Sequence, residues 1–121
     1  MEDQPNPLYW MRSSKRDLKT FPDDVQDVMG YALFLAQAGD RHGAAKQMKG
    51  LGSGVVEIVD SHDGDAYRAV YAVRFKKAVY MLHAFQKKSK RGIATPKADI
   101  NLIKNRLKDA EEHYKDNYED K

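Results

Sequence analysis

The sequence predicts an α+β fold in which a small, mainly antiparallel sheet carries helices packed on one of its faces. Three patterns predict it. Val25, Val28, Met29, Ala32, Leu35 and Ala36 recur at helical spacing. Tyr67, Ala69, Tyr71, Val73 and Phe75 then alternate with Arg68, Val70, Ala72, Arg74 and Lys76, the period-two pattern of a half-buried strand with aromatics turned inward and arginines outward. Ile100, Ile103, Leu107 and Ala110 finally return to helical spacing. A chain of 121 residues, 41% hydrophobic and 10% aromatic, suits a single domain spanning 1–121 with flexible ends at 1–7 and 115–121.

The elements follow in order. Leu8-Tyr9-Trp10-Met11 is an apolar run that fits a first strand, and Ser14-Lys15-Arg16-Asp17-Leu18 fits a short helical turn. Pro22-Asp23-Asp24 starts the first long helix, because proline fits the first turn and carboxylates there favour the macrodipole; Gly39 stops it. The glycine-rich stretch 39–54 reads as a loop with one helical turn around residues 44–48. Residues 55–59 are β-branched and form a strand, Ser61-His62-Asp63-Gly64-Asp65 has hairpin-turn chemistry, and residues 67–76 form the next strand. A tight connection at Lys76-Lys77-Ala78 leads into an antiparallel strand over 79–85. Residues 87–94 are a basic loop, and Thr95-Pro96 opens the last helix, with threonine as cap and proline at the first helical position.

Charge is segregated along the chain. Residues 67–97 contain Arg68, Arg74, Lys76, Lys77, Lys87, Lys88, Lys90, Arg91 and Lys97 with no aspartate or glutamate, a local charge of +9. The remainder holds 12 of the 21 basic residues against all 18 acidic ones, a net of −6. An acid-free basic stretch of this kind predicts a surface that holds a polyanion, with RNA the first candidate. The absence of cysteine excludes disulfides, a thiolate nucleophile and cysteine-bound zinc, and predicts a reducing cytoplasmic setting. Residues 1–7 carry neither the basic nor the apolar region of a secretory signal, and the longest uncharged run, 28–39, is too short to span a bilayer.

Arg68 and Arg74 stand six residues apart on one predicted strand, an even spacing that puts both guanidinium groups on the same face as phosphate ligands and stabilisers of developing negative charge. His83 lies on the adjacent strand with Val79, Met81 and Phe85 expected on its face, and its ordinary pKa suits proton transfer. Lys87, Lys88, Lys90 and Arg91 leave the end of that strand. His42, His62, His83 and His113 have no metal-ligand spacing, the His62-Asp63-Gly64-Asp65 run lacks a calcium loop, and Lys49-Gly50-Leu51-Gly52 lacks phosphate-loop spacing; no metal and no small-molecule cofactor is expected.

Five segments in this order are shared with a known family: the leading helix that ends in glycine, Met48-Lys49-Gly50-Leu51-Gly52-Ser53-Gly54-Val55-Val56-Glu57-Ile58, Tyr67-Arg68-Ala69-Val70-Tyr71, Leu82-His83-Ala84-Phe85-Gln86-Lys87-Lys88-Ser89, and Thr95-Pro96 opening a helix. Over residues 8–114 the chain resembles the RelE/ParE toxin superfamily, and its phage-related, HigB-like branch most of all. The resemblance implies a RelE-like fold and the toxin of a type II toxin–antitoxin pair: a cytoplasmic, ribosome-dependent endoribonuclease that cleaves mRNA without a metal, neutralised by a helix-turn-helix antitoxin. The RNA's own 2′-OH attacks the adjacent phosphate in that chemistry, which DNA lacks. By the same resemblance Lys49, Arg68, Arg74, Lys87 and Lys88 belong to the phosphate-binding and catalytic surface and His83 to the strand that ends there; the acid-free basic stretch adds Lys76, Lys77, Lys90 and Arg91 as RNA-binding residues. Val59 stands where many relatives carry an arginine, and His83-Ala84-Phe85 stands for their frequent HGF. A ParE-like inhibitor of DNA gyrase and a non-catalytic module that binds nucleic acid or an antitoxin share the fold and are the alternative functions.

Overall fold

A computed structural model describes residues 4–87 and 95–119. The elements are β1 (Leu8–Trp10), α1 (Ser14–Leu18), α2 (Asp23–Gln37), β2 (Lys46–Gln47), β3 (Val55–His62), β4 (Asp65–Ala72), β5 (Val79–Lys87) and α3 (Lys97–Tyr114), followed by a π-helical turn over Lys115–Glu119. The five strands form one sheet in the order β1-β5-β4-β3-β2. β1 runs parallel to β5 and the other pairs are antiparallel, as the predicted class required.

Strand alternation sorts the side chains into two cores. Val56, Ile58, Tyr67, Ala69, Tyr71, Val79 and Met81 pack with Leu18, Phe21, Val25, Met29, Ala32 and Leu33 of the α1–α2 layer. Val55, Val70, Ala72, Tyr80 and Leu82, on the opposite face, pack with Ile103, Leu107, Ala110 and Tyr114 of α3. The helices therefore divide between the two faces, which corrects the expectation that they share one. Beyond Asp65 at its start, both residue sets of β4 are apolar apart from Arg68, so the strand is covered on both sides and Arg68 is buried.

Local chemistry explains the boundaries. Asp63 and Gly64 both have positive φ, as a two-residue hairpin turn that matches strand twist requires, so β3 and β4 extend to His62 and from Asp65. Instead of a helical turn near residue 46, Lys46 pairs with Glu57 and Gln47 with Val56. β4 ends at Ala72, short of the predicted Lys76: the Val73 amide still reaches the Gly54 carbonyl in register at 2.7 Å, but Gly54 has φ +76 and leaves the extended conformation there. Pro22 and Pro96 occupy the cap positions themselves, in extended conformation and without side-chain capping bonds. The stretch after Tyr114, read from sequence as a loose end, continues as the π-helical turn, where Tyr118 stacks on Tyr114 and its hydroxyl lies 2.6 Å from that of Tyr9.

One irregularity sets the geometry of the site. Val70 pairs with His83 but Tyr71 pairs with Met81, so Leu82 is an extra residue on β5. Leu82 and His83 consequently both face α3, and Ala84 returns to the α1–α2 side. The Arg106 guanidinium donates to the Leu82 carbonyl at 2.8 Å and to the Ser13 hydroxyl at 3.2 Å, while the Ser14 hydroxyl donates to the Met81 carbonyl at 3.2 Å.

Two glycines give opposite predictions. Gly54 has φ +76, and a Cβ there would lie 2.5–2.8 Å from the Cβ and backbone of Arg74. Gly54→Ala is expected to lower stability in urea by roughly 2 kcal/mol or more. Gly30 sits inside α2 on its exposed side, and a Cβ at that position would meet nothing within 4 Å. Gly30→Ala should therefore raise stability by about 0.5–1 kcal/mol in the same measurement.

Candidate active site

Register places four residues in one row across the α3 face: Lys46 on β2, Glu57 on β3, Val70 on β4 and His83 on β5. The next row outward is Val59, Arg68 and Phe85. Paired residues on neighbouring strands share a face, so the polar members of these rows converge beyond the amino-terminal end of α3.

The rows are tied together by charge. Arg68 Nη1 donates to Glu57 Oε2 at 2.9 Å, with the arginine side chain 8% exposed and the carboxylate 17% exposed. The Thr95 hydroxyl, expected to cap α3, donates to the same carboxylate oxygen at 3.3 Å. One helical turn later, Asp99 Oδ1 lies 2.7 Å from His83 Nε2. The imidazole also stacks on Phe85 with ring centroids 4.6 Å apart and planes 15° apart. The bulge explains why Phe85 shares the face of His83, whereas Val79 and Met81, expected there too, lie in the opposite core.

Burial pushes the His83 pKa below its ordinary 6.5, outweighing the upward pull of the Asp99 hydrogen bond and charge; Arg106 adds to the depression and Asp17 opposes it. A neutral ring facing a carboxylate carries its proton on Nε2 and leaves the lone pair on Nδ1. Nδ1 is buried and has no hydrogen-bond partner among the described residues.

Beside this pair an open hollow of about 450 Å³ is lined by Ala44, Lys46, Glu57, Val59 and Arg68. It places an ammonium and a guanidinium on either side of one carboxylate. Val59, 40% exposed, forms part of its wall. Such a site can hold a phosphate between the two cations while the carboxylate takes a proton from a nearby hydroxyl. No group of three or more His, Asp or Glu residues suited to a metal ion occurs among the described residues, and no described helix is long and apolar enough to cross a membrane.

The expected surface falls into two ends. Arg74 does lie on the α3 side, but its Nε donates to the Ser53 carbonyl at 3.0 Å, Nη2 to the Leu51 carbonyl at 2.6 Å and Nη1 to Glu111 at 2.7 Å. Those bonds fasten the β2–β3 loop to the last turns of α3. His83, in the row next to that of Arg68, meets Asp99, whereas Arg74 meets Glu111, roughly 18 Å further along α3 by helical rise. Arg74 is thus not brought to the Arg68–His83 end, a correction to the predicted pairing. Exposed Lys76 and Lys77 lie in the β4–β5 connection at the Arg74 end, and exposed Lys49 belongs to the loop that Arg74 clamps. Lys87 ends β5 opposite Ala66, at the Arg68 end. Lys88, Lys90 and Arg91 lie outside the described residues.

Sequence reasoning assigned no role to Lys46 or Asp99 and quoted Glu57 only within a motif. A two-residue strand leaves no periodic signal, so Lys46 had none; Asp99 was legible only as a first-turn acid of α3.

Residues 16–108 match the family model described as Phage derived protein Gp49-like (DUF891), well over half of the chain. The chain belongs to this Gp49-like family of RelE/HigB-like toxins. Among solved structures, this Gp49-like protein is similar to the crystal structure of the toxin–antitoxin complex RelBE2 from Mycobacterium tuberculosis, with 16% identity and a TM-score of 0.47 over 67% of this chain and 96% of that one. No curated protein sequence matches it.

Two measurements test the site geometry. Arg74→Met should lower the unfolding free energy by about 1–2 kcal/mol, as expected when one part-buried and two exposed hydrogen bonds are lost together. In an NMR titration the His83 ring should have its midpoint below 6.5, and Asp99→Asn should lower it further by removing an upward influence. Because the unfolded chain then binds the His83 proton more tightly than the native one, this group makes stability fall as pH drops from about 6.5 to the native midpoint, and His83→Gln should flatten that part of the curve.

Proposed function

We propose that this Gp49-like toxin cleaves mRNA on the ribosome without a metal, in the cytoplasm, and that a helix-turn-helix antitoxin neutralises it. The carrying observation is the hollow in which Glu57 stands between Lys46 and Arg68, next to the Asp99–His83 pair. The family membership supports the toxin reading, and the charge arrangement supports RNA as its substrate.

In this reading Arg68 and Lys46 hold the scissile phosphate and neutralise the charge that grows on it. Glu57 accepts the proton of the 2′-OH, whose oxygen bonds to phosphorus as the bond to the 5′-oxygen breaks. An ammonium supplies the proton to that leaving oxygen, from Lys46 on one side of the hollow, from Lys87 at the end of β5, or from Lys88. The products are a 2′,3′-cyclic phosphate and a 5′-hydroxyl, with no oxidant or cofactor consumed. His83 sits with Nδ1 covered, so it acts as a positioning residue: with Asp99 it fixes the start of α3, from which Thr95 orients Glu57. Arg74 holds the β2–β3 loop, and Lys49, Lys76, Lys77, Lys90 and Arg91 contribute to attraction of the ribosome-bound RNA.

Val59 favours a second reading, because an apolar side chain occupies the wall of the hollow where the resemblance leads one to expect a cation. A chain with that wall is better suited to bind RNA than to cut it. Salt-sensitive binding without cleavage would be its signature.

The test is primer extension on a translated mRNA. Wild-type protein should cut it, Glu57→Gln should cut about 10²-fold or more slowly, and the surface variant Lys46→Ala about tenfold more slowly. Unchanged cleavage by both variants would remove the site. Intact mRNA with defective supercoiling would assign the toxin to gyrase instead.

A further inference from the structure

A second surface lies on the outer side of α2, across the sheet from the hollow. Tyr31 and Phe34 are 54% and 58% exposed, large apolar side chains that the chain leaves in water. They are nonetheless held in place: their rings stack with centroids 6.4 Å apart, and the His42 ring meets Tyr31 edge-on at 5.8 Å. Pre-ordered aromatics lose little rotamer freedom when a partner covers them.

Between the aromatic pair and the start of the helix stands Gly30. A glycine inside a helix is unfavourable, and here no neighbouring atom would meet a side chain at that position. The fold supplies no reason for it. A bare backbone patch flanked by exposed aromatics is what a second helix needs in order to approach closely. At its far end the stripe runs into a hollow of about 380 Å³ with Phe34 on its wall, between α2 and residues 4–6.

The other half of the stripe fixes the partner's charge. Asp23, Asp24 and Asp27 are exposed and have no ion-pair partner among the described residues. We infer that the outer face of α2 is a docking surface for one amphipathic helix of a partner protein, with its apolar stripe over Gly30, Tyr31 and Phe34 and lysine or arginine facing the three aspartates. The acidic charge disfavours RNA on this face, and it disfavours a second copy of α2, which would set like charges together if parallel and aspartates against aromatics if antiparallel. The inference does not depend on whether the toxin cuts RNA.

The probe is a phage-displayed library of single helices panned against the full chain. Enriched helices should carry apolar residues at i, i+3 or i+4 and i+7 with lysine or arginine at one end. They should bind Phe34→Asp, Gly30→Leu and Asp27→Lys at least about tenfold more weakly than wild type. All three positions are exposed, so melting temperatures verify that the variants fold, and Gly30→Leu should melt higher than wild type while binding worse. Enrichment of acidic or patternless helices, or equal binding to Phe34→Asp, would overturn the inference. So would sedimentation showing that wild-type chains pair with one another through this face and that Phe34→Asp does not.

Discussion

Everything at the candidate site depends on one extra residue in β5. Without Leu82 out of register, His83 would alternate into the α1–α2 core and Leu82 alone would face α3. The bulge turns both toward α3, and the Asp99 carboxylate then has an imidazole to meet. Such a defect persists only if its backbone is held on both sides. Arg106 from α3 holds the Leu82 carbonyl, and Ser14 together with the Met11 amide holds that of Met81. A short helix with little intrinsic stability is thereby fixed as the outer support of the site.

α3 acts as the ruler that separates two kinds of arginine. Its first turns meet Glu57 and His83 through Thr95 and Asp99. Its last turns meet Arg74 through Glu111, and the Tyr114 hydroxyl accepts the Lys77 amide at 3.1 Å. Guanidinium groups that look equivalent in sequence therefore differ in chemistry. One borders an open hollow and pairs with the Glu57 carboxylate; the other donates to two backbone carbonyls and a glutamate, which makes it part of the scaffold.

What was legible in the sequence follows from where periodicity survives. The apolar repeat of α2, the alternation of β4 and the face of α3 each run for several periods, and the corresponding elements are present. β2 has only two residues, and its position is set by Lys46 and Gln47 pairing with β3, a long-range bond that local composition does not encode. The predicted end of β4 differs because the alternation of residue types continues through Phe75 although pairing with β3 runs out at Gly54. The face of Phe85 relative to Met81 was illegible for the same reason as the bulge: period two counts residues, and one uncounted residue reverses every later assignment. The candidate site was half visible, since Arg68 and His83 could be chosen by residue type, but their carboxylate partners emerge only when strands and helix are brought together.

Part of the charge is also separated across the sheet. The carboxylates of α2 point away from the sheet on one side, and the Lys46–Arg68 hollow opens on the other, at the strand end from which the acid-free basic stretch continues. A net charge of +3 is too small to draw the molecule strongly toward a polyanion. A moment between opposed faces acts differently: it exerts a torque before contact. In the field of a negatively charged surface such a moment favours encounters in which the hollow leads and the α2 face trails, still open to whatever binds there.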